Sequence, residues 1–136
     1  MRWVRGVGSI SALAVAASLL LAHVHPFGDA GLYAATAPQA PIPAGAQRID
    51  QTSIPSDVRT LLINKCADCH SAQTRTPLYG HFAPVSWLLE RDIIAARKAM
   101  NLSQWDTFST DQQQTFEAKI VQQTKSHDMS LQGASK

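Results

Sequence analysis

The sequence of 136 residues has little charge, few aromatic residues and only two cysteines. Two cysteines three positions apart exclude the framework of several disulfides that holds many small secreted domains together. The twelve basic residues include Arg2 and Arg5, so the other ten balance the ten acidic residues, and nothing indicates a nucleic-acid partner. No long segment alternates apolar and polar residues, so strands are not expected.

The N-terminus shows the pattern of an export signal. Arg2 and Arg5 precede an uncharged stretch, Gly6–Val24, that is rich in Ala, Leu, Val and Ile. A buried core helix is the alternative interpretation. The A-x-A element at 35–37 is followed by Pro38, a poor cleavage site, so we expect an uncleaved helix with its positive end inside. The rest of the chain would then be periplasmic and tethered to the inner membrane.

Composition divides the chain into three parts. Residues 1–25 are the predicted signal or anchor helix, 26–53 a linker rich in Pro and Ala, and 54–136 the folded domain. Within the linker, four prolines argue against a helix or a strand and favour an extended tether: Pro26, Pro38, Pro41 and Pro43.

The folded part is predicted to be all-α, with about three helices. The first is capped by Ser56, leads directly into Cys66 and presents one apolar face made of Val58, Leu61 and Leu62. The second has Pro84 in its first turn and places these residues on its apolar side: Val85, Leu88, Leu89, Ile93, Ala96 and Met100.

A third helix begins at Ser109 or Thr110 and turns Phe116, Ile120 and Val121 inward. Three short helices form a small core, and domains of this size usually need additional stabilisation, such as a disulfide or a bound metal. The two cysteines, and whatever they hold, are the only candidates. This argument already favours a cofactor.

The cysteines belong to a C-x-x-C-H motif made by Cys66, Cys69 and His70. On a helix, positions i, i+3 and i+4 share one face. Two thiols so spaced can form thioethers with the vinyl groups of one haem, and the imidazole can then bind the iron. The motif therefore predicts haem c as cofactor, with His70 as an axial ligand. The second imidazole nitrogen normally donates to a carbonyl, and Pro77 or Leu78 is the expected acceptor.

Two other sites use similar residues. A thioredoxin-like dithiol also has C-x-x-C, but it needs a βαβ setting that this sequence lacks. A zinc site would need a fourth ligand, such as His81 or His127, and the sequence has no second paired motif. A chance occurrence of C-x-x-C-H is expected on the order of once in a thousand shuffled sequences.

Four segments resemble a family of small bacterial haem-binding-domain proteins. They are C-A-D-C-H-S from Cys66, T-P-L-Y from Thr76, A-P-V-S-W-L from Ala83 and N-L-S-Q-W from Asn101. The resemblance covers about Ile54 to Met129, and the pair His25-Pro26 looks like the family's R-P after the membrane segment. It implies a small cytochrome c-like bundle around one haem, sometimes found beside cytochrome c or di-haem peroxidase domains.

The resemblance also implies a sixth iron ligand. The family's late G-E-M-P is H-D-M-S here, so its methionine is present as Met129 while the glycine and proline are not. Met129 is therefore predicted to bind the iron, with His127 and His81 as rivals and an exposed tail methionine as the alternative. Met100 is expected to be a core residue.

The predicted function is electron transfer with redox partner proteins in the periplasm or the inner membrane. Two iron ligands and a domain too small to enclose a substrate cavity suit a carrier better than an enzyme. The alternative is a haem-based sensor or a peroxidase-associated module whose sixth position is open. Trp87 and Trp105 are expected to pack structurally. Candidate partners of the haem propionates are Arg75, Arg91 and Arg97.

Overall fold

The computed structural model describes residues 2–32 and 45–126 of the chain, with side chains described from Gly8 onward. These residues form five α-helices and no strand, which confirms the all-α prediction for this part of the chain. The helices are α1 (Arg2–Leu21), α2 (Ser56–Lys65), α3 (Ala67–His70), α4 (Val85–Ala99) and α5 (Thr110–Ser126). Three 3₁₀ helices stand between them, at Ile49–Gln51, Leu78–His81 and Leu102–Thr107.

Two of the predicted helix starts are confirmed. Pro84, expected in the first turn of the second helix, directly precedes α4, so this start is confirmed to within one residue. At the start of α5, the Gln112 N–H donates to Ser109 Oγ at 3.3 Å, and the Ser109 N–H donates to Gln112 Oε1 at 2.9 Å. This reciprocal pair is a capping box. The start of α2 differs from the prediction, because its cap is Pro55 and Ser56 is the first helical residue, with no capping bond from its side chain.

The larger apolar cluster lies between α2, α3, α5 and the 3₁₀ helices at 49–51 and 102–107. Phe108 joins Trp105 edge to face, with ring centroids 6.5 Å apart, and its ring lies 4.8 Å from that of Phe116. Phe116 and Ile120 thus face inward as predicted, whereas Val121 is exposed. The buried members of the cluster are Ile49, Ile54, Leu62, Ala67, Leu102 and Trp105.

The inward face of α4 follows the predicted apolar stripe only in part, since Ile93 is buried and Leu89 partly buried as expected. Val85 and Leu88, expected inside, are exposed, while the buried residues of the helix are Ser86, Glu90 and Ile93. The pattern misled because it ranks faces by apolar residues, whereas this face is lined by polar groups, some of which pair across the fold. On α2 likewise Leu61 is 60% exposed, since a bundle this small covers only part of a helical stripe.

A smaller apolar cluster joins the N-terminal segment, residues 2–32, to α4. Ala30 and Leu32 are buried there against Ile93. These two residues lie near the start of the predicted linker, 26–53. Ile49, near the end of the same linker, is buried in the larger cluster. The prediction of an extended tether over 26–53 is therefore wrong for these residues, because burial of their apolar side chains is favourable and the domain offers them a surface.

The C-terminal end of α1 contacts the beginning of α4. The Ser18 hydroxyl donates to the Ala83 carbonyl at 2.7 Å, and the Ala83 N–H donates to the Ser18 carbonyl at 3.3 Å. The Trp87 indole N–H donates to the Leu21 carbonyl at 3.1 Å. These bonds join α1 to the rest of the fold and give Trp87 its structural role.

Several apolar side chains of α1 are exposed, among them Ile10, Leu13 and Leu20. Within residues 2–32 and 45–126, no helix combines the length and the apolar character that a membrane span requires.

Candidate functional site

The C-x-x-C-H motif lies where α2 meets α3. Cys66 is the residue between the two helices, and its N–H donates to the Leu62 carbonyl at 2.8 Å. The carbonyl of Cys66 in turn accepts the His70 N–H at 2.9 Å. One helical turn therefore carries both thiols and the imidazole at positions i, i+3 and i+4.

The two thiols face different surroundings. Cys66 packs against the larger cluster and Cys69 against the smaller one, and both are half-buried and unbonded. Burial raises the pKa of the Cys66 thiol, and the neighbouring Cys69 adds to this rise. Burial also raises the pKa of Cys69, with Asp68 and Asp92 acting in the same direction and Arg97 opposing them. Neither thiol is thus an activated thiolate at neutral pH, unlike the reactive cysteine of a thioredoxin-like dithiol.

Within the part of the chain that the structure describes, the motif does not belong to a group of side chains placed to hold a metal ion. Among the residues at 2–32 and 45–126, one group of His, Cys, Asp or Glu side chains has all its ligand atoms within 4.8 Å of one another. That group is His25, Asp29 and Glu90, far from the motif in sequence. His127, one of the suggested fourth ligands, lies outside the described residues.

One nitrogen of His70 is held by the backbone. Its Nδ1 lies 3.1 Å from the carbonyl oxygen of Met100. Because a carbonyl oxygen only accepts, Nδ1 carries the proton and Nε2 keeps the lone pair that can bind a metal. Such a bond also orients the ring and makes it a stronger ligand.

The predicted acceptors, Pro77 and Leu78, were therefore wrong. They are close to the motif in sequence, but the fold packs the C-terminal end of α4 against α3. Met100 follows the last residue of α4 in an extended conformation (φ −164°, ψ 128°), and its carbonyl accepts the His70 proton.

The N-L-S-Q-W segment directly after Met100 explains why the chain turns there. The Asn101 side chain accepts the Ser103 N–H at 3.0 Å and caps the following 3₁₀ helix. The buried Ser103 hydroxyl accepts the Ala72 N–H at 2.9 Å, and Trp105 is buried in the larger cluster. The three residues cap the turn, hold the loop after the motif and fill the core.

Comparison with known families matches the sequence model of one family, described as a haem-binding domain, to residues 30–133. The match spans more than half of the chain. The protein belongs to the haem-binding domain family. No curated protein and no solved structure matches the chain significantly.

In this haem-binding domain, side chains in and next to the motif form hydrogen bonds that stabilise the loop after it. The buried Ser71 donates its hydroxyl to the Ala67 carbonyl at 2.7 Å. The Asp68 carboxylate accepts two bonds of 2.9 Å from the Arg75 guanidinium, and the Thr74 hydroxyl donates to the Asp68 carbonyl at 2.6 Å. Sequence reasoning assigned no role to Ser71, although it lies in the C-A-D-C-H-S segment of the resemblance.

Arg97 of α4 joins three parts of the haem-binding domain. Its guanidinium donates to the Ser71 carbonyl at 2.8 Å, to the Ala30 carbonyl at 2.9 Å and to the Thr74 hydroxyl at 3.0 Å. Burial lowers the pKa of Arg97, an effect that the nearby Cys69 opposes. The other two arginines considered as propionate partners form exposed pairs with carboxylates, Arg75 with Asp68 and Arg91 with Asp92.

The predicted sixth ligand lies outside the described residues. Met129 and its rival His127 follow α5, which ends at Ser126. The other rival, His81, is the last residue of the 3₁₀ helix at 78–81 and is half-buried. Met129 therefore stays a prediction. Met100, expected in the core, is partly buried against the larger cluster.

We expect Arg97→Lys to lower the free energy of unfolding by roughly 1–3 kcal/mol, because one ammonium cannot reach all three acceptors and partly buried carbonyls lose their donor. Urea denaturation followed by circular dichroism measures this loss. The matched control is Arg91→Lys, an exposed arginine on the same helix, which should change the free energy by less than about 0.5 kcal/mol. Equal losses in the two variants would contradict the structural role of Arg97.

Proposed function

We propose that the protein is a c-type cytochrome that carries electrons in the periplasm, with one haem bonded to Cys66 and Cys69. The observation that carries the proposal is the bond from His70 Nδ1 to the Met100 carbonyl, 3.1 Å long, within the C-x-x-C-H motif of a haem-binding domain. It leaves the Nε2 of His70 available as the axial ligand of the iron.

The residues present suit a haem. Two half-buried thiols and an oriented imidazole on one turn are the donor set of covalent haem attachment. Apolar side chains on several elements are also exposed, with Leu78 at 80%, Leu61 at 60% and Leu88 at 46%. A large apolar ligand that contacts such side chains would remove their apolar surface from water.

Each residue of the motif has a separate task in the proposed site. Cys66 and Cys69 would hold the haem through thioether bonds to its two vinyl groups. His70 would hold the iron through Nε2, while the Met100 carbonyl accepts from Nδ1 and keeps the ring from rotating. When bound, a haem supplies an iron that alternates between the ferrous and ferric states.

The choice between carrier and sensor depends on the sixth ligand. A second protein ligand closes the iron to small molecules and suits electron transfer, whereas an open position suits gas binding or peroxide chemistry. We propose Met129 for this role. A thioether favours the reduced iron and so raises the reduction potential above that of a bis-histidine site.

The first test concerns attachment. We expect haem to stay with the wild-type chain in denaturing electrophoresis, since thioether bonds survive denaturation, and to be lost from the Cys66→Ala/Cys69→Ala double variant. Haem staining of the gel measures this. Each single variant, which retains one thioether, serves as the control. A double variant that still stains would refute covalent attachment through the motif.

The second test concerns Met129. We expect the ferric wild type to be low-spin and the ferrous form to take up carbon monoxide slowly, because the sixth position is occupied. Met129→Ala should become high-spin, bind carbon monoxide rapidly and show a lower reduction potential. Absorption spectra and a redox titration measure these changes.

Met100→Leu is the matched control for Met129→Ala. It removes a thioether but keeps the backbone carbonyl that accepts from His70. Its spectrum should therefore equal that of the wild type. A wild type that is high-spin and binds carbon monoxide at once would instead favour the sensor or enzyme function.

We also propose that the chain is exported and stays attached to the inner membrane through residues 1–25. Arg2 and Arg5 before the apolar stretch support export, and the exposed apolar side chains of α1 support attachment. Fractionation should find the full-length protein in the membrane fraction, with its haem domain open to protease from the periplasm. A soluble periplasmic protein that begins after Ala22 or Ala37 would show a cleaved signal instead.

A further inference from the structure

A second group of ligating side chains lies where the N-terminal segment meets α4. Glu90 is completely buried, and its Oε1 lies 2.7 Å from Nδ1 of His25, which is 65 positions away in sequence. The exposed residue Asp29 completes the group. One ligand atom from each of these three side chains lies within 4.8 Å of the other two.

A turn brings His25 and Asp29 to the same place. The Gly28 N–H donates to the His25 carbonyl at 3.1 Å, and Gly28 has a positive φ of 105° that favours glycine. The turn lies close against α4, since a Cβ at Gly28 would stand 3.1 Å from Cδ1 of Ile94. Asp29 Oδ1 accepts the Gly31 N–H at 2.6 Å, which fixes its carboxylate at the outer edge of the group.

Two buried polar atoms on α4 have no hydrogen-bond partner within the part of the chain that the structure describes. They are Oε2 of Glu90 and Oγ of Ser86, and both residues have no exposed surface. Because Ser86 precedes Glu90 by four positions, the two side chains share one face of the helix. A buried carboxylate oxygen without a donor is costly, so a cation or a donor at this point would be strongly favoured.

We propose that His25, Asp29 and Glu90 bind a divalent transition-metal ion, for which zinc is the appropriate probe. One imidazole nitrogen with two carboxylate oxygens suits a first-row transition metal, whereas magnesium and calcium prefer oxygen ligands alone. Two carboxylates match the charge of the ion, and the buried Glu90 carboxylate, which has one oxygen without a donor, gains a further partner.

The metal would join the N-terminal segment to α4. The two parts already meet through the smaller apolar cluster, in which Ala30 and Leu32 contact Ile93. A bound ion adds a polar connection at the neighbouring turn and stabilises the folded chain over the unfolded one. This site is separate from the motif at Cys66 and does not depend on whether a haem is bound.

The test is calorimetric titration of untagged, full-length protein with zinc chloride, after any free thiols have been alkylated so that Cys66 and Cys69 cannot bind zinc. We expect one zinc ion per chain and no comparable binding of magnesium. Asp29→Asn keeps the oxygen that accepts from Gly31 but removes the charge. Loss of an outer-shell partner typically lowers the affinity for a metal roughly 10- to 100-fold. Because Asp29 is a proposed direct ligand, this variant should lower the affinity for zinc by more than that.

His25→Gln should weaken zinc binding in the same way, whereas the matched control His23→Gln, an exposed histidine two positions earlier, should leave it unchanged. Zinc should also raise the Tm of the wild type but not that of Asp29→Asn. Because Asp29 is exposed, its variant is expected to fold, and circular dichroism checks this. The proposal is overturned if the wild type binds no zinc, or if His25→Gln and Asp29→Asn bind it as tightly as the wild type.

Discussion

The four residues of α3 cannot stay helical by themselves, and packing on both sides keeps them in place. A helix of one turn is far shorter than the length that is stable in water. Cys66 and Ala67 contact the larger cluster, while Cys69 contacts the smaller one. The geometry of the motif is thus a product of the surrounding core, and any change that loosens either cluster also changes the site.

The helix α4 connects most of the functional parts of the molecule. Its inward residues are spaced by four, three and four positions: Ser86, Glu90, Ile93 and Arg97. Glu90 pairs with the N-terminal turn, Ile93 fills the smaller cluster, and Arg97 holds the loop after the motif. The residue that follows the helix then presents its carbonyl to His70. The polar groups of this face are partly satisfied, because Glu90 Oε1 and Arg97 pair with groups from distant parts of the chain.

The N-terminal segment is part of this fold. Bonds between Ser18 and Ala83 and between Trp87 and Leu21 join α1 to the start of α4. A few residues later, Ala30 accepts from Arg97 and is buried. The match to the haem-binding domain family begins at this same residue. The family's domain therefore starts before α2, the first helix that the sequence predicts for the folded part.

The sequence by itself determined the all-α class, the starts of α4 and α5 to within a residue, the C-x-x-C-H motif and the family. All of these depend on spacings within a few residues, which local rules describe well. Only the tertiary structure decided that Met100 is the acceptor for His70, that α4 turns Glu90 inward, and that parts of 26–53 pack on the domain. The physical reason is that the partner of a buried polar group, and the surface that covers an apolar one, come from residues distant in sequence, which no local pattern contains.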